Sequence, residues 1–222
     1  MSKPYDLGLI VGRFQHIHVG HQALIDTARQ LCDRVHVLVG SSQEVGTLRN
    51  PYPSSTRIKM ITAIYSDTNL SATDLPDLTN ETDITPLWGK HVLQGVKQIY
   101  GKLPEIMFYG NDQARSGWFA PYDIKDISEF IMSRDRLVIS ATQMREWLLR
   151  SDDEHYREKW FAYVHPRLHK HFGMLRDQLR GAPAYHQIVQ KLGSQPREAW
   201  NDRDESWLRH AMLGKAANLV TS

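Results

Sequence analysis

Leu7 to His21 reads LGLIVGRFQHIHVGH. Its apolar run, Leu7 to Val11, breaks at Gly12 into a polar loop that holds His18 and His21. An amphipathic helix follows from near Gly20 to about Cys32, with Ala23, Leu24, Ala28 and Leu31 at helical spacing. The stretch predicts a strand, a turn of phosphate size and a helix N-terminus. Such a terminus leaves backbone N–H groups unpaired and carries the positive end of the helix dipole, so it suits anions. Two imidazoles placed there can donate further hydrogen bonds to phosphate oxygens.

Outward from this unit, strand-like and helix-like segments alternate, the pattern of an α/β fold with a parallel sheet and helices on both faces. Val35 to Val39 predicts a second strand ending in Gly40, Ser41 and Ser42, at the strand edge where open α/β sheets put their ligands. The polar loop Gln43 to Ser54 carries Arg49 and Asn50, and its Pro51 and Pro53 hold the chain extended. Thr56 to Tyr65 predicts a helix with Ile58, Ile61 and Ile64 along one side, whereas Asn69 to Asp83 reads only as one irregular strand among turns. Leu87 to Tyr100 predicts a third helix, opened by Pro86, where a missing N–H costs nothing. Ile106 to Tyr109 predicts a strand ending in Gly110, Asn111 and Asp112. Leu137 to Ile139 is a further apolar run, leading through Ser140, Ala141 and Thr142 into a helix from about Gln143 to Arg150.

After Ser151 the chain turns helical, aromatic and basic. Tyr156, Trp160 and Tyr163 recur at helical spacing, Arg167 to Arg180 reads as a helix, and Tyr185, Ile188, Val189 and Leu192 form an apolar stripe. Trp207, Leu208, Ala211 and Met212 suggest a last helix. The expected division is a domain over residues 1–180 and a helical C-terminal extension over residues 181–222.

Composition narrows the class. The 222 residues are 41% hydrophobic and 23% charged with a formal net charge of +2, the profile of a soluble globular protein without the basic excess of a nucleic-acid binder. No apolar run approaches the ~20 residues of a membrane span, and Met1 to Asp6 lacks a signal-peptide pattern. The one cysteine, Cys32, placed in the first helix, allows no internal disulfide. A cytoplasmic protein is expected, with neither nucleic acid nor membrane as partner. Trp200 and Trp207 on the tail suggest a subunit contact, hence a homo-oligomer. His165 and His169, with His171, have the i, i+4 spacing that can share a metal on one helical face, but Pro166 lies between them and no HExxH arrangement follows, which argues against a zinc site.

The string GRFQHIHVGH, Gly12 to His21, resembles the GRFQPFHxGH signature of the HxGH nucleotidyltransferases. ISATQMR, Ile139 to Arg145, resembles their second signature, ISxTxxR. GSSQ (Gly40 to Gln43), RNP (Arg49 to Pro51), Arg57 and LWGKHV (Leu87 to Val92) are similar to nicotinamide mononucleotide adenylyltransferases of the archaeal type, and to the adenylyltransferase half of bacterial enzymes that also carry a Nudix hydrolase domain. The resemblance spans about Leu7 to Arg180 and implies a Rossmann-like nucleotidyltransferase fold. Two departures stand out. His16 and Ile17 replace the family's Pro and Phe, and the tail has no Nudix box, so the second activity is expected to be absent. PAYHQIVQKLG, Pro183 to Gly193, resembles the segment joining the two domains of those enzymes.

The chemistry implied is attack of a phosphate monoester on the α-phosphorus of a nucleoside triphosphate, with pyrophosphate leaving in line. That monoester is already largely ionised at neutral pH, so alignment and positive charge are what the protein must supply. By resemblance His18, His21 and Arg145 are the catalytic groups, Arg145 as a bidentate clamp on the β and γ oxygens. Gly12, Arg13, Phe14 and Gln15 carry over as loop residues near the triphosphate, Gly20 as a close approach, and Ser140 and Thr142 as donors at the second helix N-terminus. For the acceptor, Gly40 and Ser41 line the strand end and Arg49 meets the phosphate. Trp88 stacks on the pyridinium, a cation–π contact of ~0.5 to 2 kcal/mol, and Asn111 bonds the carboxamide or a ribose hydroxyl. Mg²⁺ is expected to arrive on the ATP phosphates, with no protein metal ligand. The reaction implied is ATP + nicotinamide mononucleotide → NAD + pyrophosphate. Another small phosphorylated acceptor, or a regulator that binds nucleotide without turnover, remains open. Each residue also has a plainer reading: Ser140 and Thr142 as helix caps, Trp88 as core, Asn111 as a turn former and Arg49 as a solvated charge.

Overall fold

The computed structural model describes residues 2–66, 69–78, 86–110, 117–133 and 139–194, with 208, 211 and 212. Its contacts divide the chain into two interleaved compact units. The first comprises Met1–Arg13, Gly20–Gln43 and Tyr65–Val138, and the second Phe14–Val19, Glu44–Ile64 and Ile139–Ser222.

The first unit is a parallel sheet with helices. Its strands are β1 (Tyr5–Gly12), β2 (Cys32–Val39), β3 (Leu70–Asp74), β4 (Ile106–Gly110) and β5 (Ser128–Met132), in the order β3-β2-β1-β4-β5. β1 is central, paired in parallel with β2 and with β4. The order reverses between β1 and β4, and in open α/β sheets the carboxyl ends of the strands at such a switch point are where ligands bind. Leu7, Leu9 and Val11 alternate onto one face of β1, where they pack with Val92, Leu93 and Val96 of the helix α3 (Pro86–Tyr100). On the opposite face Gly8 has no room for a side chain. A Cβ there would lie 2.6 Å from Cys32 Sγ and 3.0 Å from the Phe108 ring.

Two differences from the sequence reading, at Cys32 and at β5, have physical causes. The helix α1 (Val19–Leu31) runs directly into β2, so Cys32 is a buried strand residue and not a helical one. The one strand expected between Asn69 and Asp83 is β3, a short edge strand whose Ser71 pairs with the fully buried His36, and the hydroxyls of Ser71 and Thr73 lie 3.0 Å from the two ring nitrogens of that histidine. β5 was not anticipated at all, because Ser128 to Met132 is largely exposed and lacks an apolar period. Of the run Leu137 to Ile139, only Ile139 is described, and it lies in no strand.

The second unit is helical. It holds all but the last residue of α2 (Ser54–Tyr65), then α4 (Ala141–Leu149), α5 (Glu154–Tyr163), α6 (Phe172–Gly181) and α7 (His186–Ser194), with 3-10 turns at Pro166–His171 and Pro183–Tyr185. Arg167 to Arg180 is thus one 3-10 turn and one α-helix, since Pro166 starts the turn. Trp160, Leu168, Leu175, Leu179 and Tyr185 are fully buried here, as are Leu208 and Met212. Trp200 and Trp207, and the subunit contact expected of them, lie outside the described residues. Among the described residues no helix is long and apolar enough to cross a membrane.

Candidate active site

The signature loop belongs to both units: Gly12, Arg13, Gly20 and His21 to the first, Phe14 to Val19 to the second. In the first unit Gly12 closes β1 and its carbonyl accepts from Gly40 N at 3.0 Å, so the ends of β1 and β2 are tied side by side. Gly20 and His21 fall in the first turn of α1. That turn has no acidic residue, which leaves the positive end of its dipole uncompensated from within the helix.

Beyond β2 the chain turns sharply, with Ser41 in the left-handed region at φ 51°. Ser41 N donates to Asp77 Oδ1 at 3.3 Å, and the indole Nε1 of Trp88 donates to the same oxygen at 3.1 Å. Asp77 N in turn donates to Gln43 Oε1 at 3.0 Å. Trp88 is half-buried, packs against the core and meets Trp118 edge-on at 4.8 Å between ring centroids. Gly40, Ser41 and Trp88 are therefore brought together, and Asp77 joins them. Sequence reasoning missed Asp77, which sits in the stretch without periodicity. The only available signal was a carboxylate just after a strand end, and that is common in turns. Asn111 lies outside the described residues.

In the second unit the loop is held rigidly. Phe14 turns the chain in the left-handed region, at φ 48°, a conformation a bulky residue adopts only when its surroundings impose it. Gln15, His16, Ile17 and His18 are all buried. Gln15 braces the Arg49 loop. Its Nε2 donates to Asn50 Oδ1 at 3.1 Å and to the Tyr52 carbonyl at 3.3 Å, and its Oε1 accepts from Tyr52 N at 3.0 Å. Asn50 is held further by Glu44 and by Thr47. Arg49, between these anchors, is exposed.

His16 has one ring nitrogen 2.7 Å from the Ile17 carbonyl and the other 3.0 Å from Trp160 Nε1. Burial, reinforced by the charge of Arg145 and opposed by the Ile17 carbonyl, lowers its pKa to about 4, so the ring is neutral at physiological pH.

The second signature starts α4. Ser140 is its N-cap and forms a reciprocal capping box with Gln143: Ser140 Oγ accepts from Gln143 N at 3.2 Å, and Ser140 N donates to Gln143 Oε1 at 2.9 Å. Arg145 follows on the next turn, 3% exposed. Its Nε donates to the Tyr185 hydroxyl at 3.1 Å and its Nη2 to Thr142 Oγ1 at 3.4 Å. Thr142 is thereby an orienting partner of the arginine. Arg57, on α2, is a second fully buried guanidinium in this unit.

Of the three histidines, His165 Nδ1 accepts from Arg167 N, and His169 Nε2 faces the Phe161 carbonyl. The donors named for the triphosphate, histidine and arginine N–H groups, suit an anion and offer no carboxylate to a hard cation. They do not fit direct coordination of a magnesium ion.

Comparison with known proteins gives the chain its family and its fold. A model of the cytidylyltransferase-like family matches residues 9–147. The nicotinamide-nucleotide adenylyltransferase of Pyrococcus furiosus is 26% identical over 151 residues, covering 65% of this chain and 74% of that protein. That of Thermococcus kodakarensis is 26% identical over 150 residues, covering 65% and 73%. Among solved structures, the bifunctional NMN adenylyltransferase/ADP ribose pyrophosphatase of Francisella tularensis, complexed with AMP and a manganese ion, superposes with a TM-score of 0.58 at 16% identity. It is matched by 96% of this chain, which spans only 57% of its length. The fold is thus a Rossmann-like nucleotidyltransferase fold. With both signature segments inside the matched residues, the chain belongs to the cytidylyltransferase-like family.

Proposed function

We propose that this chain is a nicotinamide-nucleotide adenylyltransferase. It moves AMP from ATP to nicotinamide mononucleotide, with NAD and pyrophosphate as products. A phosphate oxygen of the mononucleotide forms a bond to the α-phosphorus of ATP as the bond to the β-phosphate bridging oxygen breaks, and the electron pair leaves with pyrophosphate. The attacking oxygen is already ionised, so no general base is assigned.

His18, His21 and Arg145 donate to phosphate oxygens that gain charge as the bond to the leaving group stretches. Gly12, Arg13, Phe14, Gln15 and Gly20 form the loop beside the triphosphate. Ser140 and Thr142 orient the arginine helix and the arginine. Gly40, Ser41, Trp88, Asn111 and Arg49 serve the acceptor. Mg²⁺ would arrive with ATP, held mainly through the ATP phosphates, and would supply positive charge there. Residues 1–180 carry this chemistry, residues 181–222 form the helical extension, and the assembly is a homo-oligomer in the cytoplasm.

The observation that carries the reading is Arg145. It is a buried guanidinium on the first turns of a capped helix, inside the second signature, with two of its nitrogens already oriented by Tyr185 and Thr142. A panel of ATP and CTP against nicotinamide mononucleotide, nicotinic acid mononucleotide and pantetheine phosphate, scored for pyrophosphate release, tests it. ATP with nicotinamide mononucleotide is expected to be fastest, and His18→Ala to lose about 10²- to 10³-fold in kcat, as removal of one charge-stabilising donor does. No release by the wild-type protein with any pyridine mononucleotide refutes the reading.

A further inference from the structure

The 3-10 turn Pro183–Tyr185 lies beyond both signatures, yet it is docked on the loop that carries Arg49. Ala184 N donates to the Gly46 carbonyl at 3.3 Å. Gly46 takes φ +74°, and a Cβ on it would meet Pro183 Cδ at 3.2 Å, so the two backbones approach closely. Tyr185 is fully buried at this junction. Its hydroxyl donates to the Leu48 carbonyl at 2.9 Å and accepts from Arg145 Nε at 3.1 Å.

The direction of both bonds is forced. A guanidinium can only donate and a carbonyl can only accept, so one phenol proton points at Leu48 and the phenol lone pair at Arg145. Burial pushes the Tyr185 pKa up while Arg145 pulls it down, and burial is the larger effect, so the hydroxyl keeps its proton. One oxygen thereby fixes the roll of the Arg145 guanidinium about its own stem. The same oxygen pins the backbone one residue before Arg49.

We propose that Tyr185 is a positioning residue for nucleotidyl transfer: through a single hydroxyl it sets the orientation of Arg145 toward the leaving phosphates and the placement of the Arg49 loop. This rests on the function proposed above and extends it to a residue outside the family-matched segment, 9–147. Guanidinium hydrogen bonds are directional, so a small rotation of Arg145 trades a paired fork for a single contact. Misplacement of that order in a preorganised site costs on the order of 10²-fold in rate.

The test is Tyr185→Phe, which deletes one oxygen and keeps the ring, alongside Arg145→Ala and the double variant, all assayed well below their thermal midpoints. Tyr185→Phe is expected to lower kcat by about 10- to 100-fold with KM for ATP raised by no more than about tenfold, because the lost contact weakens the hold on ATP and matters most as charge develops. In the Arg145→Ala background the same change is expected to do nothing further to kcat. A kcat within about twofold of wild type, even with a lowered thermal midpoint, overturns the proposal, as do effects that multiply in the double variant. Should Tyr185→Phe not fold, Tyr185→Met fills the space without a hydroxyl and is judged by the same criteria. If the wild-type protein turns over no pyridine mononucleotide, the functional reading fails separately, and positioning is read from ATP affinity by calorimetry. About tenfold weaker binding by Tyr185→Phe then sustains it, and unchanged affinity overturns it.

Discussion

The indole of Trp160 donates its N–H to Nε2 of His16 at 3.0 Å, two residues before the first signature histidine. Tryptophan has no acceptor nitrogen, so His16 Nε2 must be unprotonated and the ring hydrogen sits on Nδ1, facing the Ile17 carbonyl at 2.7 Å. A second proton on this ring would set N–H against N–H in a site without water access.

Acid should therefore unfold the protein earlier than its carboxylates alone would. His16 and the buried His36 both have pKa values lowered to about 4 from an ordinary 6.5, chiefly by burial. Between those values the unfolded chain binds more protons than the folded one. The stability tied to the neutral rings is fully present above about pH 6.5 and is lost as pH falls toward 4. Each ring contributes at most about 3 kcal/mol over that window. Urea unfolding is expected to show a midpoint that falls steadily from pH 7 to pH 4.5, and a flat midpoint would contradict the neutral-ring assignment.

Gln15→Ala is expected to act on stability before it acts on chemistry. The change removes the partner of the buried Tyr52 N and of the Tyr52 carbonyl. Unsatisfied buried groups cost about 1–3 kcal/mol. Denaturant melts should register that loss. If the midpoint holds and only KM for ATP rises, Gln15 touches the triphosphate after all.

Trp88→Ala separates stacking from core packing. Loss of a cation–π contact of ~0.5 to 2 kcal/mol corresponds to about a 2- to 30-fold rise in KM for nicotinamide mononucleotide, with KM for ATP unchanged. An equal effect on both substrates, accompanied by a lower melting point, would assign Trp88 to the core alone.

Gly89→Ala probes how that tryptophan is placed. A Cβ at residue 89 would lie 1.9 Å from the Trp118 backbone carbonyl oxygen, so α3 must shift to admit it. Overpacking of this kind costs about 1–3 kcal/mol or more. A reduced melting temperature together with weakened mononucleotide binding is the expected pair of effects in thermal and calorimetric measurements. A variant as stable as wild type would show that the helix has slack there.

Much of the fold was legible because its elements are locally periodic. β1, α1, α2 and α3 each carry enough apolar residues at one spacing to be read directly. The two edge strands do not: in β3 the polar Ser71 and Thr73 make sense only against His36 of the next strand, and β5 is mostly exposed. The boundary at Cys32 was misread because helix and strand abut with no turn residue to mark the change.

The sequence by itself determined the strand, loop and helix that open the chain, the second signature helix, and so the residues on which the proposed phosphate chemistry rests. Spacing along a short contiguous segment is a local property, and each motif is one such segment, the first joining β1 to α1 and the second the N-cap and first turns of α4. Only the tertiary structure decided what holds those residues: Asp77 under Trp88, Gln15 behind the Arg49 loop, Trp160 on His16 and Tyr185 on Arg145. The longest of these links joins residues 144 positions apart, and no periodicity along the chain records which distant hydrogen-bond donor will meet which acceptor.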